Sequence, residues 1–193
     1  MDALVALQNR ASSSRLIEPG PTIEALEEIK KSALRAADHC RLRPWRFLVI
    51  EGDSRKKLGE LFIATEKQKI SNVTENKCEL LAKKAMRAPT IVIVIASLKQ
   101  HPVVPEIEQI ISAGAAAQNM LNAAYAMGLG AVWRTGEVAY DMNFSAGLGL
   151  GISEKIIGFL YLGTIPVGRE TNASKINTND YFLAGFKFFI IIC

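Results

Sequence analysis

The sequence has few of the residues that build common metal and nucleophile sites. Its only histidines are His39 and His101, which are too few for a plausible zinc cluster, so we expect no metal ion. The three cysteines, Cys40, Cys78 and Cys193, are odd in number and have no short repeated spacing. This pattern favours neither a disulfide framework nor a CxxC motif, and we expect a reducing, cytoplasmic location.

Long apolar runs are also lacking. The two most apolar segments, Thr90–Ala96 and Phe188–Cys193, are shorter than the about 18 residues that a membrane span requires. The first ten residues lack a basic lead followed by an apolar run, which is not the pattern of a secretory signal. We therefore expect neither membrane insertion nor secretion.

Phosphate-binding glycine motifs are missing or misplaced. No Walker-type glycine loop ending in Lys-Ser or Lys-Thr is present. Gly147, Gly149 and Gly151 alternate with leucines, but a strand follows them, whereas a dinucleotide fingerprint follows a strand and opens a helix. The glycines therefore predict a plain loop.

Charge is nearly balanced, with 23 Lys and Arg against 19 Asp and Glu and a net charge of +4. The basic residues form short separated runs without interleaved aromatic residues, at Lys30-Lys31, 55–57 and Lys83-Lys84. Such runs are typical of solvated helix faces, so we expect no nucleic-acid partner.

The 193 residues suit one domain spanning 1–193, and 49% of them are hydrophobic. Asp2 and Thr22 stand where they would cap helices, and the second helix should end near Ala37. Asp53 would cap a helical region that breaks near Ser71 and resumes to Met86. Strands are predicted at Phe47–Ile50, Thr90–Ala96, 131–136 and 155–163, of which Thr90–Ala96 reads as a central strand covered on both faces. Helices and strands alternate without a strict βαβ order, which indicates an α+β fold.

One helix, Glu106 to about Met127, carries small residues on every face, among them Ala113, Gly114 and Ala117. Small residues allow close backbone approach on more than one side. A helix of about 20 residues buried all round is hard to place in a domain of this size. We therefore predict that one face meets a second copy of the chain, in a homodimer.

Three loops pair a cationic side chain with a second polar group: Arg10 with Ser12, Arg35 with His39, and Arg134 with Thr135. Guanidinium groups and hydroxyls suit a phosphate, and Arg or His also suits the N1–O2 edge of a flavin ring. From these residues alone, a phosphate-bearing ligand and a bland alternative stay equally open. The alternative is solvent-exposed arginines with a histidine that caps a helix end.

Five segments, taken in order, resemble the nitroreductase family, in its short YdjA-like branch. They are Asn-Arg-Ala-Ser-Ser-Ser-Arg at 9–15, Arg-Ala-Ala-Asp-His at 35–39, Pro-Trp-Arg-Phe-Leu-Val-Ile-Glu-Gly at 44–52, Ala-Val-Trp-Arg-Thr-Gly at 131–136, and Ile-Gly-Phe-Leu-Tyr-Leu-Gly-Thr at 157–164. The resemblance runs in order from residue 1 to about Pro166.

The resemblance implies a mainly antiparallel sheet wrapped by helices, an intertwined homodimer and FMN at the subunit interface. It implies an oxidoreductase in which NADH or NADPH reduces FMN, and a nitroaromatic, quinone or similar small acceptor then takes the electrons at the same place, by a ping-pong mechanism. The residues implied to bind the cofactor are Arg10, Ala11, Ser12, Arg35, His39, Trp133, Arg134 and Thr135. No catalytic side chain is implied. The tail, about 167–193, would extend over the partner subunit.

The sequence departs from the family pattern at two places in the matched segments. Ala11 stands where relatives carry a second arginine, which predicts looser FMN binding, and Arg46 stands where an aromatic residue or histidine is usual. Two alternatives to a reductase follow. One is a flavin-binding or storage protein with little turnover, and the other is a helical dimerisation scaffold without a ligand.

Overall fold

One antiparallel sheet forms the centre of the computed structural model, which describes residues 1–169 and 172–185. The strands are β1 (Trp45–Glu51), β2 (Thr90–Ser97), β3 (Gly130–Arg134) and β4 (Glu154–Gly163). Their order across the sheet is β1-β2-β4-β3, and every neighbouring pair is antiparallel. All four predicted strands are present, and the prediction of an α+β fold with a mainly antiparallel sheet is confirmed.

Strand β2 lies in the interior of the sheet between β1 and β4, as its β-branched sequence predicts. Residues Ile91–Ala96 are fully buried. Ile91, Ile93 and Ile95 face one side of the sheet, and Val92 and Val94 face the other. Both faces of the strand are therefore covered by other parts of the protein, which removes apolar side chains on both sides from contact with water.

Six α-helices surround the sheet in the described part of the chain. They are α1 (Ala3–Asn9), α2 (Ile23–Ala33), α3 (Ser54–Lys69), α4 (Glu75–Ala85), α5 (Glu106–Ala126) and α6 (Met142–Gly147). The side chain of Asp2 accepts from the N–H of Leu4 and Val5, and that of Thr22 accepts from the N–H of Ala25, so both predicted caps are confirmed.

Helix α2 ends at Ala33, four residues before the predicted end near Ala37. The carbonyl of Ser32 accepts from the side chain of Asn119 on α5 at 3.2 Å and from the N–H of Arg35 at 3.1 Å. A carbonyl used in this way no longer continues the helical ladder. The prediction of the helix end was wrong because the partner residue lies far away in sequence.

The break near Ser71 is confirmed, since α3 ends at Lys69 and α4 begins at Glu75. The predicted cap at Asp53 is wrong in its chemistry: this side chain makes no capping bond and pairs with Lys56 at 2.8 Å. Helix α6 was not predicted, although Asp141 caps it by accepting from the N–H of Phe144.

The predicted glycine loop at 147–151 is only partly correct. Gly147 is the last residue of α6, and Gly149 has a φ of +72° in the turn that follows. A Cβ built at Gly147 would lie 2.3 Å from Leu61 Cδ1. The first glycine therefore permits close helix packing, and the second permits a left-handed turn.

Helix α5 is buried on only part of its surface in the single chain. Ala113, Ala116 and Ala124 are fully buried, but Ile107 and Ile111 are 59% and 62% exposed. The helix therefore presents one apolar strip that no described residue covers. This strip is the face on which the predicted dimer depends.

Arg46 is paired across the sheet. Its Nε and Nη2 donate to the two carboxylate oxygens of Glu154 at 2.8 and 2.7 Å, and Glu154 also accepts from the N–H of Gly151. Glu154 is the first residue of β4, and Arg46 is the second residue of β1. Its charge is thus used within the fold, at the entry of β1 and β4.

The predicted crossing of the tail, about 167–193, lies partly outside the described residues, because 170–171 and 186–193 are not among them. Of the described part, Tyr181, Phe182 and Leu183 are each more than 70% exposed.

Candidate active site

Residues 10–17 run along the outer edge of β3. The N–H of Ser13 donates to the carbonyl of Ala131 at 2.9 Å, and Ile17 exchanges two backbone hydrogen bonds with Thr164, both 2.9 Å. Ser13 is buried, whereas Ser12 is exposed. We call residues 10–17 the edge segment. It places Arg10, Ala11 and Ser12 beside the strand that leads into Trp133, Arg134 and Thr135.

Within the edge segment, the side chains of Arg10 and Ser12 point to a common place. Nη1 of Arg10 lies 3.5 Å from Oγ of Ser12, at the limit of a hydrogen bond. Arg10 is half-buried at the end of α1. A guanidinium and a hydroxyl held together at a sheet edge offer the donors that a phosphate group accepts.

Arg35 and His39 form a second group, on the chain that leaves α2. Nδ1 of His39 lies 2.7 Å from a carboxylate oxygen of Glu108, and the hydroxyl of Ser112 donates to the carbonyl of Ala37 at 2.6 Å. Both partners belong to the N-terminal half of α5. Arg35 and His39 are exposed, and no hydrogen bond or ion pair among the described residues joins either of them to Arg10 or to the loop after β3.

Trp133 lies between two glycines. A Cβ built at Gly158 of β4 would stand 2.0 Å from Nε1 of the indole, and one built at Gly114 of α5 would stand 3.8 Å from the far end of its ring. The indole thus lies across β4 and reaches α5. Its neighbour Arg134 has the opposite orientation, since residues alternate along a strand. The two predicted site residues therefore start from opposite faces of the sheet.

A cleft of about 570 Å³ opens where β3 ends, between the loop after β3, β4 and the helices α3 and α4. Trp133, Arg134 and Thr135 line it, whereas Arg10, Ser12, Arg35 and His39 do not. Phe159 and Tyr161 supply an aromatic floor. The structure thus brings three predicted site residues to one cavity, places three more along the adjoining edge segment, and keeps Arg35 and His39 separate within the single chain.

Five cationic side chains line this cleft: Lys69, Lys77, Lys84, Arg87 and Arg134. We call it the cationic cleft. Lys69 pairs with Asp141 at 2.5 Å, and Lys77 pairs with Glu66 at 3.1 Å. Lys84, Arg87 and Arg134 have no ion pair within residues 1–169 and 172–185.

Tyr161 is the titratable group on the floor of the cationic cleft. Burial raises the pKa of its phenol, and the positive charges of Arg87 and Arg134 act in the opposite direction. An ordinary tyrosine phenol already keeps its proton at neutral pH, and a raised pKa reinforces this, so the hydroxyl can donate a hydrogen bond. Its hydroxyl has no hydrogen-bond partner among the described residues.

Sequence reasoning missed Lys84, Arg87 and Tyr161. The run Lys83-Lys84 was interpreted as one solvated helix face, but the structure separates the two: Lys83 pairs with Glu79 on the surface at 3.2 Å, and Lys84 lines the cleft. A signal was available, because Lys84 lies three residues after the buried Leu81 and therefore on nearly the same side of α4.

A second cavity of about 590 Å³ has a different lining. It lies between α5, α6 and β4, and its wall includes Ile110, Met142 and Ile156. No predicted site residue borders it. The two cavities are nearly equal in volume. The candidate active site is therefore identified by the side chains that line it.

Two features are absent from residues 1–169 and 172–185. No cluster of three or more His, Cys, Asp or Glu side chains is arranged to hold a metal ion. No helix within the same residues is long and apolar enough to cross a bilayer.

Comparison with known proteins gives consistent matches. A family model described as "Nitroreductase family" matches residues 8–164. The Escherichia coli K12 protein named "Putative NAD(P)H nitroreductase YdjA" is 41% identical over 181 residues, which cover 93% of this chain and 96% of that protein.

Two crystal structures show the same fold. The nitroreductase-like family protein of Bacillus cereus superposes with a TM-score of 0.79 at 22% identity, covering 96% of this chain and 97% of its own. The nitroreductase with bound FMN from Bacteroides fragilis superposes with a TM-score of 0.71 at 18% identity, covering 95% and 99%.

Proposed function

Because this chain belongs to the nitroreductase family, we propose that it is an FMN-dependent oxidoreductase. It takes hydride from NADH or NADPH and reduces a nitroaromatic, quinone or similar small acceptor by a ping-pong mechanism. Bound FMN would supply the carrier that accepts a hydride and later releases it. For a nitro group, one hydride and one proton give a nitroso group and water.

The residues present fit the cofactor. FMN has a phosphate and a planar conjugated ring, and the two neighbouring sites offer matching chemistry. Arg10 and Ser12 on the edge segment offer the phosphate a guanidinium and a hydroxyl. Arg134 and Thr135 border a cavity with an aromatic floor that suits a ring. The observation that carries the proposal is that β3 connects these two places.

The chain's own residues have three tasks in this proposal. The edge segment binds and orients the phosphate. Phe159 is buried and keeps water from one side of the ring site. The cationic groups around Tyr161 provide a positive potential where negative charge is delivered.

A homodimer would bring Arg35 and His39 into the site. His39 contacts Glu108 in the N-terminal half of α5, the helix whose exposed apolar strip contains Ile107 and Ile111, and Arg35 lies four residues earlier on the same connection. If two copies meet through this strip, the α2 end of one subunit faces the other subunit. This arrangement supports the prediction that both groups of site residues contribute to one cofactor site.

Absorbance of the purified protein tests the proposal. We expect a yellow protein, or one that turns yellow with added FMN, and bleaching when NADH or NADPH is added without oxygen. Arg10→Ala should weaken FMN binding about tenfold, the typical effect of losing one charge-assisted hydrogen bond. Lys57→Ala, which removes an exposed charge elsewhere on α3, is the matched control.

A colourless protein that takes up no FMN would refute the proposal and favour the scaffold alternative. Bound FMN without oxidation of NADH or NADPH across several acceptors would favour a storage protein. Ala11→Arg sharpens the choice, because a restored charge should tighten FMN binding if the edge segment holds the phosphate.

A further inference from the structure

The cationic cleft has more positive charge than its own carboxylates neutralise. Asp141 and Glu66 pair with Lys69 and Lys77. Glu137, which lines the cleft together with Glu66, acts on Lys69, since it helps to raise the pKa of that amine. Lys84, Arg87 and Arg134 thus remain without an ion pair among the described residues, and all three border the same cavity.

Tyr161 adds a neutral donor to these charges. The residue is only 4% exposed, yet its hydroxyl borders the cavity and has no described hydrogen-bond partner. Arg87 and Arg134 are near enough to act on its phenol. A neutral hydroxyl beside cationic groups that lack counter-ions is a donor set that suits an anionic oxygen.

The phosphate of FMN is not expected to occupy these donors. In the proposed function it lies at Arg10 and Ser12, and neither residue lines the cationic cleft. The flavin ring in its oxidised state carries no charge that would balance the cluster. The remaining occupants of a ping-pong site are the nicotinamide donor and the acceptor, and the test below distinguishes between them.

We infer that Lys84, Arg87, Arg134 and Tyr161 select an electron acceptor that carries a carboxylate, in preference to a neutral acceptor of the same shape. This inference rests on the proposed function, because it assigns the substrate class of that same site. It identifies Lys84 and Tyr161 as specificity residues that contact the acceptor's anionic group.

The test uses two matched pairs of compounds with the holoenzyme. Benzoate and benzamide are unreactive and nearly equal in shape, and their binding is measured by the change that they cause in the flavin absorbance. 4-Nitrobenzoate and 4-nitrobenzamide are the reducible pair, compared by kcat/KM. Because each variant is judged by its anion-to-neutral ratio, the intrinsic reactivity of each compound cancels.

Wild-type enzyme should bind benzoate and not benzamide, and salt should weaken only benzoate binding, since screening acts on charges. Lys84→Gln and Tyr161→Phe should each lower the anion-to-neutral ratio about tenfold, as expected for the loss of one charge-assisted hydrogen bond. Lys83→Gln removes the same charge from the adjacent surface residue paired with Glu79, and its ratio should equal that of wild type.

Three results would overturn the inference. Equal binding of benzoate and benzamide by wild type is the first. The second is that Lys84→Gln slows both nitro compounds equally, which would mean that the cations act on the flavin. The third is that the variants raise only the KM for NADH or NADPH, which would assign the cations to the donor's phosphates.

Failure of the inference and failure of the proposed function give different results. Wild-type protein that stays colourless with added FMN contradicts the proposed function. A yellow, active protein that does not distinguish the anionic from the neutral compound contradicts only the carboxylate preference.

Discussion

The two faces of the sheet are packed by opposite means. On one face, Ile91, Ile93 and Ile95 of β2 meet α3, α4 and α6, and three phenylalanines fill the space between: Phe62, Phe144 and Phe159. On the other face, Val92 and Val94 meet α5, which contributes mainly alanines. Aromatic side chains thus fill the first face, whereas the helix on the second face contributes mostly small ones.

The difference explains where the cationic cleft forms. Alanines let α5 approach the part of the sheet that contains Val92 and Val94 closely. Bulky side chains hold α3 and α4 farther away, and the gap is filled only where the phenylalanines reach. Beyond Phe159, toward β3, the gap stays open and charged side chains line it. A cavity beside the sheet is therefore a consequence of packing one face with aromatic residues.

The aromatic face should be the more sensitive to loss of volume. Phe144 is fully buried and stacks on Phe62 with ring centroids 5.1 Å apart. Phe144→Ala should lower the free energy of unfolding by about 4 kcal/mol, because it removes a large apolar group and leaves a cavity. Denaturant titration measures the loss. Phe182→Ala, at a position 79% exposed, should have almost no effect, and equal losses in the two variants would contradict the comparison.

The space around Trp133 on β3 should be the next most sensitive to a change of side-chain volume. Gly158→Ala should cost about 3 kcal/mol, because its Cβ would stand 2.0 Å from the indole nitrogen and 3.0 Å from the backbone oxygen of Arg134. The indole emission should shift as Trp133 moves. Gly151→Ala, whose Cβ would contact nothing within 4 Å, is the control. An unshifted spectrum with full stability would refute the placement of the indole.

The alanine face should be the more sensitive to gain of volume. Ala117 is fully buried between α5 and the sheet. Ala117→Leu should cost about 2 kcal/mol, since a closely packed interface has no room for three more carbons. Ala64→Leu, on the exposed side of α3, should be neutral by thermal denaturation. A stabilised Ala117→Leu protein would show that the face is loosely packed.

The smallest expected effect concerns the rim of the sheet and depends on pH. The hydrogen bonds from Arg46 hold the pKa of the Glu154 carboxyl below its usual value. A depressed folded-state pKa contributes stability above the unfolded pKa and loses it as the pH falls through the folded pKa. Glu154→Gln should thus cost about 1 kcal/mol at pH 7, discounted because Arg46 is 38% exposed, and progressively less in acid.

Unfolding curves of wild type and Glu154→Gln at several values between pH 7 and pH 3 measure this convergence. Glu60→Gln, at an exposed position of α3, should follow wild type throughout. A stability difference that stays constant with pH would contradict the role assigned to the ion pair.

The sequence predicts what depends on neighbours along the chain. Apolar runs identify all four strands, and the caps at Asp2 and Thr22 depend on bonds that span three residues or fewer. The order of five short segments also predicts the family and, with it, the oxidoreductase class, and the comparisons confirm both.

What the sequence could not predict depends on distant partners. The end of α2 depends on Asn119, and the pairing of Arg46 depends on a carboxylate 108 residues away. Lys83 and Lys84 are adjacent in sequence, but only the packing of α4 shows which one enters the cleft. The roles of the eight site residues and FMN binding stay predictions, because a cofactor site between two subunits does not follow from the contacts within one chain. The single domain also stays a prediction.

The edge segment has two roles, one for its backbone and one for its side chains. Its backbone bonds to the sheet at two places, Ser13 to Ala131 of β3 and Ile17 to Thr164 just after β4. An open strand at this border would recruit strands from other molecules. Its side chains at Arg10 and Ser12, with Nη1 and Oγ 3.5 Å apart, are the proposed phosphate ligands. Because the main chain protects the sheet edge through its backbone hydrogen bonds, its path is constrained. Evolution of cofactor affinity in this segment is therefore confined to exchanging side chains on an unchanging backbone.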